Sequence, residues 1–515
     1  MKKIIILMIL PFLSYAEGID KKIDKAFAPI SDFFSNVIFF TIYDIPFVLM
    51  LLVFSALFFT VYFAFPNIRY FRIAVNTVRG KYDDLELKEK QSNDVKGTIK
   101  DESEDGEVSH FQALATAVSG TVGNGNIAGV ALAIALGGPG ATFWMIICGL
   151  LGMSTKFVEC TLGVKYRDVG EDGTVYGGPM YYISKGLKER GFEFFGKIAA
   201  ILFAFFCIGG SFGGGNAAQS NQATIVLKDL MGLESTAAGA IIGCIIAIIV
   251  GIIIIGGIKR IANVTEKVVP FMALMYLLAC LYIILINFSL VDDAISLIIT
   301  EAFNPTAIGV GSVIGVLLVG FKRAAFSNEA GAGSASIAHS AVKTKYSASE
   351  GLVALLEPFI DTVVICTMTA LVIIIFNFGG FFEYGGDGGM VYIDGVGYEG
   401  AGITSKAFAK YIPFSNVFLT IAVVLFAVST MISWSYYGLQ SWKFIFGRGY
   451  YADLTYKILF LLFIIIGAAS SMSSIWAFSD AMIFAMIFPN MVGLFFLFPV
   501  VKRELVKYLD AIKNK

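Results

Sequence analysis

The stretch that decides the fold runs from His110 to Leu136 and reads HFQALATAVSGTVGNGNIAGVALAIAL. Its two ends have the composition of a membrane helix, and its middle does not. Gly120, Gly123, Gly125 and Gly129 crowd the centre, with Asn124 and Asn126 between them. Each glycine disfavours helix by about 1 kcal/mol relative to alanine, and an asparagine inside lipid needs a partner. Irregular backbone at membrane depth survives only where it is buried in protein or lines a cavity. The stretch therefore reads as a discontinuous membrane helix whose break holds something.

About 200 residues later the pattern returns. Gly309 to Ser340 reads GVGSVIGVLLVGFKRAAFSNEAGAGSASIAHS: apolar, broken around Gly320 to Gly333, then resuming with small residues. Two Gly-interrupted apolar segments at matching places in two halves point to the binding site of a secondary transporter.

The rest of the chain fits a membrane setting. Its 515 residues are 57% hydrophobic and 15% charged, with a mean hydropathy of +0.78. Soluble domains lie nearer 45–50% apolar and about 25% charged, so this is a polytopic all-α membrane protein. A formal net charge of -1 and the lack of a basic aromatic patch give no support to a nucleic-acid partner. Cys148, Cys160, Cys207, Cys244, Cys280 and Cys366 all sit in apolar spans and read as small membrane hydrophobes. Two histidines, His110 and His339, rule out a multi-histidine metal site. No nucleophile–base pair or metal cluster appears among the spans, so neither an enzyme nor a resident cofactor is expected.

Met1 to Ala16 has a basic start, a short apolar run and Ser14-Tyr15-Ala16, the pattern of a cleaved signal peptide. An uncleaved membrane N-terminus is the alternative. Residues 17–109 comprise an interfacial stretch (Gly18 to Phe40), one extra span (Ile45–Phe65) and a hydrophilic cytoplasmic segment from Tyr82 to Val108. A first five-helix repeat occupies 110–288, with spans at His110–Leu136, Ala141–Val164, Phe195–Leu227, Ala237–Ile258 and Val268–Phe288. An outer connecting loop is expected at 289–304. A second repeat follows at 305–501: the broken segment, then Gly351–Phe376, Asn416–Tyr437, Leu454–Ala469 and Ile475–Val501. Residues 502–515 form a cytoplasmic tail. That makes about 11 transmembrane helices.

Lys165, Arg167, Lys259, Arg260, Lys343, Lys345, Lys443, Arg448, Lys502 and Arg503 fall on alternate loops. The positive-inside rule puts those loops and the C-terminus in the cytoplasm of a cell (inner) membrane protein. The two halves then have opposite topology. Five plus five inverted helices, the first of each half broken and one extra helix in front, resemble the LeuT-type architecture. Between Asn377 and Pro413 the longest outer loop carries Val391-Tyr392-Ile393-Asp394-Gly395-Val396, a β-hairpin signal around Asp-Gly.

Several blocks carry a closer resemblance: GTVGNGNIAGVA (Gly120–Ala131), GGPGATFWM (Gly137–Met145), GMSTKFVECTLGVKYR (Gly152–Arg167), GGPMYYISKGL (Gly177–Leu187), FSNEAGAGSASIAH (Phe326–His339), EPFIDT (Glu357–Thr362) and STMISWSYYG (Ser429–Gly438). Together they resemble the alanine/glycine:cation symporter family over nearly everything after Ile45. The resemblance implies sodium-coupled uptake of a small neutral amino acid such as alanine or glycine; the chain is expected to work as a monomer in the lipid bilayer. Proton coupling, a channel and a transporter-like receptor are the competing readings.

At the first break, free N–H groups suit a substrate carboxylate, and Thr121, Gly123 and Gly125 are the candidates; a close helix crossing through small residues is the alternative. The likeness to LeuT-type proteins places the Ser119 and Val122 carbonyls at the shared cation site, with Phe426, Ser429 and Thr430 as partners from the eighth core helix. A Ser-Thr pair in a membrane helix otherwise bonds to its own backbone. Asn216, Gln219, Ser220 and Asn221 put polar groups at membrane depth, facing either a cavity or a neighbouring helix. Phe326, Ser327 and Asn328 at the second break are expected to receive the ammonium and wall the side-chain pocket, with Trp434 as its cover or as an interface anchor. Glu329 is expected to pair with Lys322 or Arg323. Glu357, Asp361 and Asp480 carry no assignment.

Overall fold

In lipid every backbone N–H and C=O must find a partner within the segment, so long apolar runs fold as helices. The computed structural model describes residues 19–87, 106–171, 173–233, 238–304 and 312–515. The expected signal peptide, 1–16, lies outside the described residues. Among the described residues, seven helices are long and apolar enough to cross a membrane, or eight with one bent pair counted as a span.

The chain enters through α1 (Ile19–Ile38) and α2 (Phe47–Tyr62). The first half then runs α3 (His110–Thr121) and α4 (Gly125–Gly137), bent by 50° at their junction, α5 (Gly140–Lys165), α6 (Glu193–Met231), α7 (Ala238–Ile254) and α8 (Gly257–Ile286). A helix, α9 (Val291–Phe303), stands where the connecting loop at 289–304 was expected. It is held by the Trp144 indole N–H on the Ala302 carbonyl at 3.1 Å. The second half runs α10 (Val313–Asn328), the short α11 (Ser336–His339), α12 (Ser347–Asn377), α13 (Ala401–Tyr411), α14 (Ser415–Phe446), α15 (Tyr450–Ala469) and α16 (Met472–Lys513). The expected tail from 502 is the last part of α16, continuous to Lys513.

The extra span is built in two pieces. At about 1.5 Å per residue, the 16 residues of α2 fall short of a hydrocarbon core of about 30 Å. Both α1 and α2 lie along α16 in the same direction: Phe34 meets Phe478, Phe39 meets Phe484, Phe47 meets Phe488, Phe58 meets Phe495 and Tyr62 meets Phe498. The stretch expected to be interfacial thus packs on the bundle in series with α2.

The end of the bundle that carries Lys165, Arg167 and Lys343 is the basic end. There a buried charge network ties the two halves. Glu350 on α12 holds His110 at the start of α3 through one oxygen and His339 of α11 through the other, the latter at 2.5 Å. Lys156 of α5 meets Glu357 at 2.8 Å, with both side chains fully buried. Removing one partner of such a pair typically costs about 3–5 kcal/mol. At the opposite end, Val391–Ile393 pairs antiparallel with Val396–Tyr398. Asp394 and Gly395 both have positive φ, the hairpin turn that Asp-Gly favours. The loop before the hairpin and α13 rest on α4: the Gly385 N–H donates to the Ala135 carbonyl at 2.7 Å, and Thr404 donates to the Ile127 carbonyl at 3.1 Å.

Candidate substrate and cation site

Each break is held by side chains that take over the freed backbone groups. At the first, Asn126 Oδ1 accepts the Gly123 N–H at 2.9 Å, and Gln219 Oε1 of α6 accepts the Asn124 N–H at 3.0 Å. A π-helical turn, Gly125–Gly129, starts α4. At the second, α10 stops at Asn328, and Glu329 (φ 55), Gly331 (φ 92) and Gly333 (φ 85) follow in left-handed conformation. A non-glycine residue there costs roughly 1–2 kcal/mol. The Glu329 carboxylate offsets this by accepting from Ser334 Oγ and from Trp434 Nε1, the latter at 2.9 Å. The Asn490 amide of α16 donates to the Gly331 carbonyl at 2.8 Å.

The two breaks face each other across a small enclosed cavity. Thr121, Gly125, Gln219, Phe326, Thr430 and Trp434 line it, all of them buried, together with Glu329 and Ile483. The room inside is on the order of one water molecule, so an amino acid fits only if the walls part. Trp434 reaches the cavity because Gly215 leaves α6 bare there: a Cβ on Gly215 would run into the indole, and one on Gly214 would run into Ile483. Phe326 is braced by Trp476, the rings 5.1 Å apart and 22° from parallel.

Beside the cavity lies a group of hard oxygens. Thr430 Oγ1 donates to the Ser119 carbonyl at 3.0 Å, Ser119 Oγ to the Ser429 carbonyl at 2.8 Å, and Ser429 Oγ to the Phe426 carbonyl at 2.9 Å. Four of the five residues expected around a cation, Ser119, Phe426, Ser429 and Thr430, are joined by these bonds. Val122, the fifth, caps α3 and is fully buried.

Other expected site residues turn elsewhere. The Gly123 N–H is already taken by Asn126, so it is not free for a carboxylate. Asn216 points away from the cavity and donates to the Phe460 carbonyl of α15 at 2.6 Å. Asn221 likewise donates to Gly467 and Ser470. Ser327 Oγ donates to Asp361 at 2.9 Å, and Asn328 Nδ2 to Thr362 at 2.9 Å, both toward α12. Glu329 does not pair with Lys322 or Arg323. Those two bases hold Asp480 of α16, Lys322 at 3.0 Å. Sequence reading missed Ile483 and the cavity-facing role of Glu329. The left-handed glycines that follow Glu329 were the signal that its side chain leaves the α10 helix.

The helices, their order and the facing breaks define an all-α polytopic membrane protein with the LeuT-type fold. The structure of MhsT in complex with L-phenylalanine is similar in fold, with a TM-score of 0.52 over 78% of this chain and 99% of that one, at 13% sequence identity. The chain belongs to the sodium:alanine symporter family, whose description matches residues 30–515. Sodium/alanine symporter AgcS of Methanococcus maripaludis is 38% identical over 472 residues, 91% of this chain and 96% of that protein. In Bacillus subtilis, the putative sodium/proton-dependent alanine carrier protein YrbD is 36% identical over 403 residues, 77% of this chain and 80% of its own length. The probable sodium/glutamine symporter GlnT of the same organism is 32% identical over 403 residues, 78% of each. The family is one of symporters, not of enzymes.

Proposed function

We propose that this protein carries a small neutral amino acid, alanine or glycine, into the cell together with sodium, by alternating access at the cavity between the two breaks. The observation that carries the reading is the position of Thr430. Thr430 lines the cavity, and its hydroxyl is bonded to the Ser119 carbonyl of the oxygen group. One side chain therefore touches both the amino-acid space and the cation space, and that is the physical basis for coupling them.

In this reading Thr121 and Gly125 receive the carboxylate, where the positive end of the α4 dipole favours an anion. The ammonium goes to carbonyls at the C-terminal end of α10, near Phe326, where the dipole is negative. Gln219 orders the first break and faces the ligand. Trp434 and Phe326 close around the side chain and leave room only for a small one. Sodium, the co-transported ion, takes the Ser119, Val122 and Phe426 carbonyls and the Ser429 and Thr430 hydroxyl oxygens, as those hydroxyls turn their hydrogens away. The basic end faces the cytoplasm, by the distribution of lysine and arginine. Each chain holds a complete cavity, so one chain is the transport unit.

The test is equilibrium binding of labelled alanine to the purified protein in sodium chloride and in potassium chloride. Saturable binding that appears with sodium supports the reading. Equal binding in the two salts rejects sodium coupling, and no binding in either rejects the substrate.

A further inference from the structure

The chain has two histidines, His110 and His339, and both grip the same carboxylate. Glu350 of α12 meets His110 Nδ1 with one oxygen and His339 Nδ1 with the other. His110 is the first residue of α3 and His339 the last of α11. None of the three lines the amino-acid cavity or belongs to the oxygen group beside it.

The two rings differ in what surrounds them. His339 is fully buried. Its Nε2 faces Glu357 Oε2 at 3.6 Å, so a carboxylate stands at each ring nitrogen. Both nitrogens then carry hydrogen, since a bare one would turn its lone pair toward a carboxylate oxygen. Lys156 holds the other oxygen of Glu357 at 2.8 Å. His339 and Lys156 therefore balance Glu350 and Glu357 without a charge on His110. Deeper in the bundle, Glu159 accepts from Asn490, and Glu329 accepts from Ser334 and Trp434.

His110 sits at the edge of this network. It lines a cavity of about 440 Å³ at the basic end, with Arg79, Asp83, Glu107, Gln112 and Lys343. Arg79 and Asp83 follow the helix Phe71–Val78, Glu107 precedes α3, and Lys343 lies between α11 and α12. On the α8 side, Gln112 donates to Glu266 at 3.0 Å. The two bases and two acids of the cavity offset each other. Glu350, which touches the ring, then sets how His110 responds to a proton. An unperturbed imidazole titrates near pH 6.5, at about the pH of a mildly acid cytoplasm. A hydrogen bond between two charged groups is roughly twice as strong as one between neutral groups, so protonation tightens the hold of His110 on Glu350.

His110 is also the handle of a separate piece of helix. The 12 residues of α3 make a rod of about 18 Å. It ends at the first break, 50° from the direction of α4. The same rod carries Ser119 of the oxygen group and Thr121 of the cavity. To empty the cavity toward the basic end, α3 must part from α11 and α12, and the bond between His110 and Glu350 must break. Away from Glu350, His110 releases its proton more readily, so opening and deprotonation favour each other.

We propose that His110 and Glu350 form a proton-sensitive latch: protonated His110 keeps α3 docked, and loss of the proton frees it. Acid on the basic side, the cytoplasm by the distribution of lysine and arginine, therefore slows emptying of the cavity and with it uptake. The experiment is uptake of labelled alanine into proteoliposomes holding the full chain, with pH equal on both faces so that no proton gradient contributes. Wild-type uptake should fall about tenfold from about pH 7.5 to about pH 5.5, a range centred on the ordinary imidazole value. His110→Asn keeps a side-chain donor but cannot titrate there, and its uptake should change less than about twofold. A second measurement needs no substrate and so stands apart from the sodium-coupled reading. In a Cys244→Ser background, a cysteine at buried Ala113 is labelled with an impermeant thiol reagent, and its rate is divided by that of free cysteine at the same pH. The ratio should fall on acidification and become flat when His110→Asn is added. Should His110→Asn not fold, the labelling ratio with His110 present decides, and a ratio indifferent to pH overturns the latch. Wild-type uptake that is flat or rises on acidification also overturns it, as does full pH dependence retained in His110→Asn. Failed alanine uptake at every pH, with the labelling ratio still falling, defeats the transport reading and leaves the latch standing.

Discussion

Alanine in place of Gly125 separates a ligand-binding break from a packing break. A Cβ at Gly125 would stand 3.4 Å from Ser327 Cα and 3.5 Å from its hydroxyl, ordinary contact distances. The fold therefore accepts the methyl, and helix propensity favours it by about 1 kcal/mol. The methyl would occupy the wall of a cavity with room on the order of one water, beside the N–H groups assigned to the carboxylate. An extra methyl in a filled site costs roughly 1–3 kcal/mol. At about 1.4 kcal/mol per decade that weakens alanine binding roughly 5- to 150-fold. Labelled-alanine binding at saturating sodium, beside a thermal melt, reads both effects: the melt holds or rises while affinity falls. Gly123→Ala is the contrast, because its Cβ would run into the Thr430 hydroxyl and lie 3.1 Å from Gln219 Oε1. That variant should lose sodium response as well. Unchanged alanine affinity in Gly125→Ala would refute the reasoning and leave these glycines as helix-packing residues.

Thr430→Ala removes an oxygen assigned to sodium, and hydrogen-bond-like contacts to a charge are worth about 1.5–3 kcal/mol. The sodium concentration for half-maximal uptake should rise roughly 10- to 150-fold, with alanine binding at saturating sodium much less affected; superimposed sodium titrations exclude the assignment. Trp434→Ala should admit larger side chains, so that leucine competes with labelled alanine where it does not in the wild type, at a stability cost of about 3–5 kcal/mol. An unchanged competition profile means the indole does not set substrate size. Glu350→Gln weakens the hold on His110 and His339 and should loosen the basic end. In a Cys244→Ser background, a cysteine at buried Ala113 should then react faster with an impermeant thiol reagent; an equal rate shows that Glu350 does not latch that end.

The breaks were legible because glycine and asparagine violate the rules of a lipid-facing helix. The Asp394-Gly395 turn was legible for a similar reason, since its two residues adopt the positive φ that Asp-Gly tolerates. Which polar side chain faces the cavity was not legible. On α6 the π-helical turn Gly213–Ala217 inserts into the regular repeat. Asn216 then turns to α15 while Gln219, three residues on, reaches the cavity. Helical spacing cannot foresee that rotation. Glu329 failed for another reason: Lys322 and Arg323 precede it on α10, but the chain turns left-handed at Glu329 itself. The real partner of those bases, Asp480, arrives from α16, more than 150 residues away. The pairing of α1 with α16 is equally long-range, resting on phenylalanines that carry no local signal of register.

The most direct test of sodium-coupled uptake is accumulation of labelled alanine by proteoliposomes under an inward sodium gradient, compared with an equal potassium gradient. The account predicts transient alanine accumulation above the outside concentration with the sodium gradient alone, abolished when sodium is equal on both sides and no voltage is applied. Accumulation driven equally well by potassium, or alanine flux that only equilibrates whatever the sodium gradient, would contradict it.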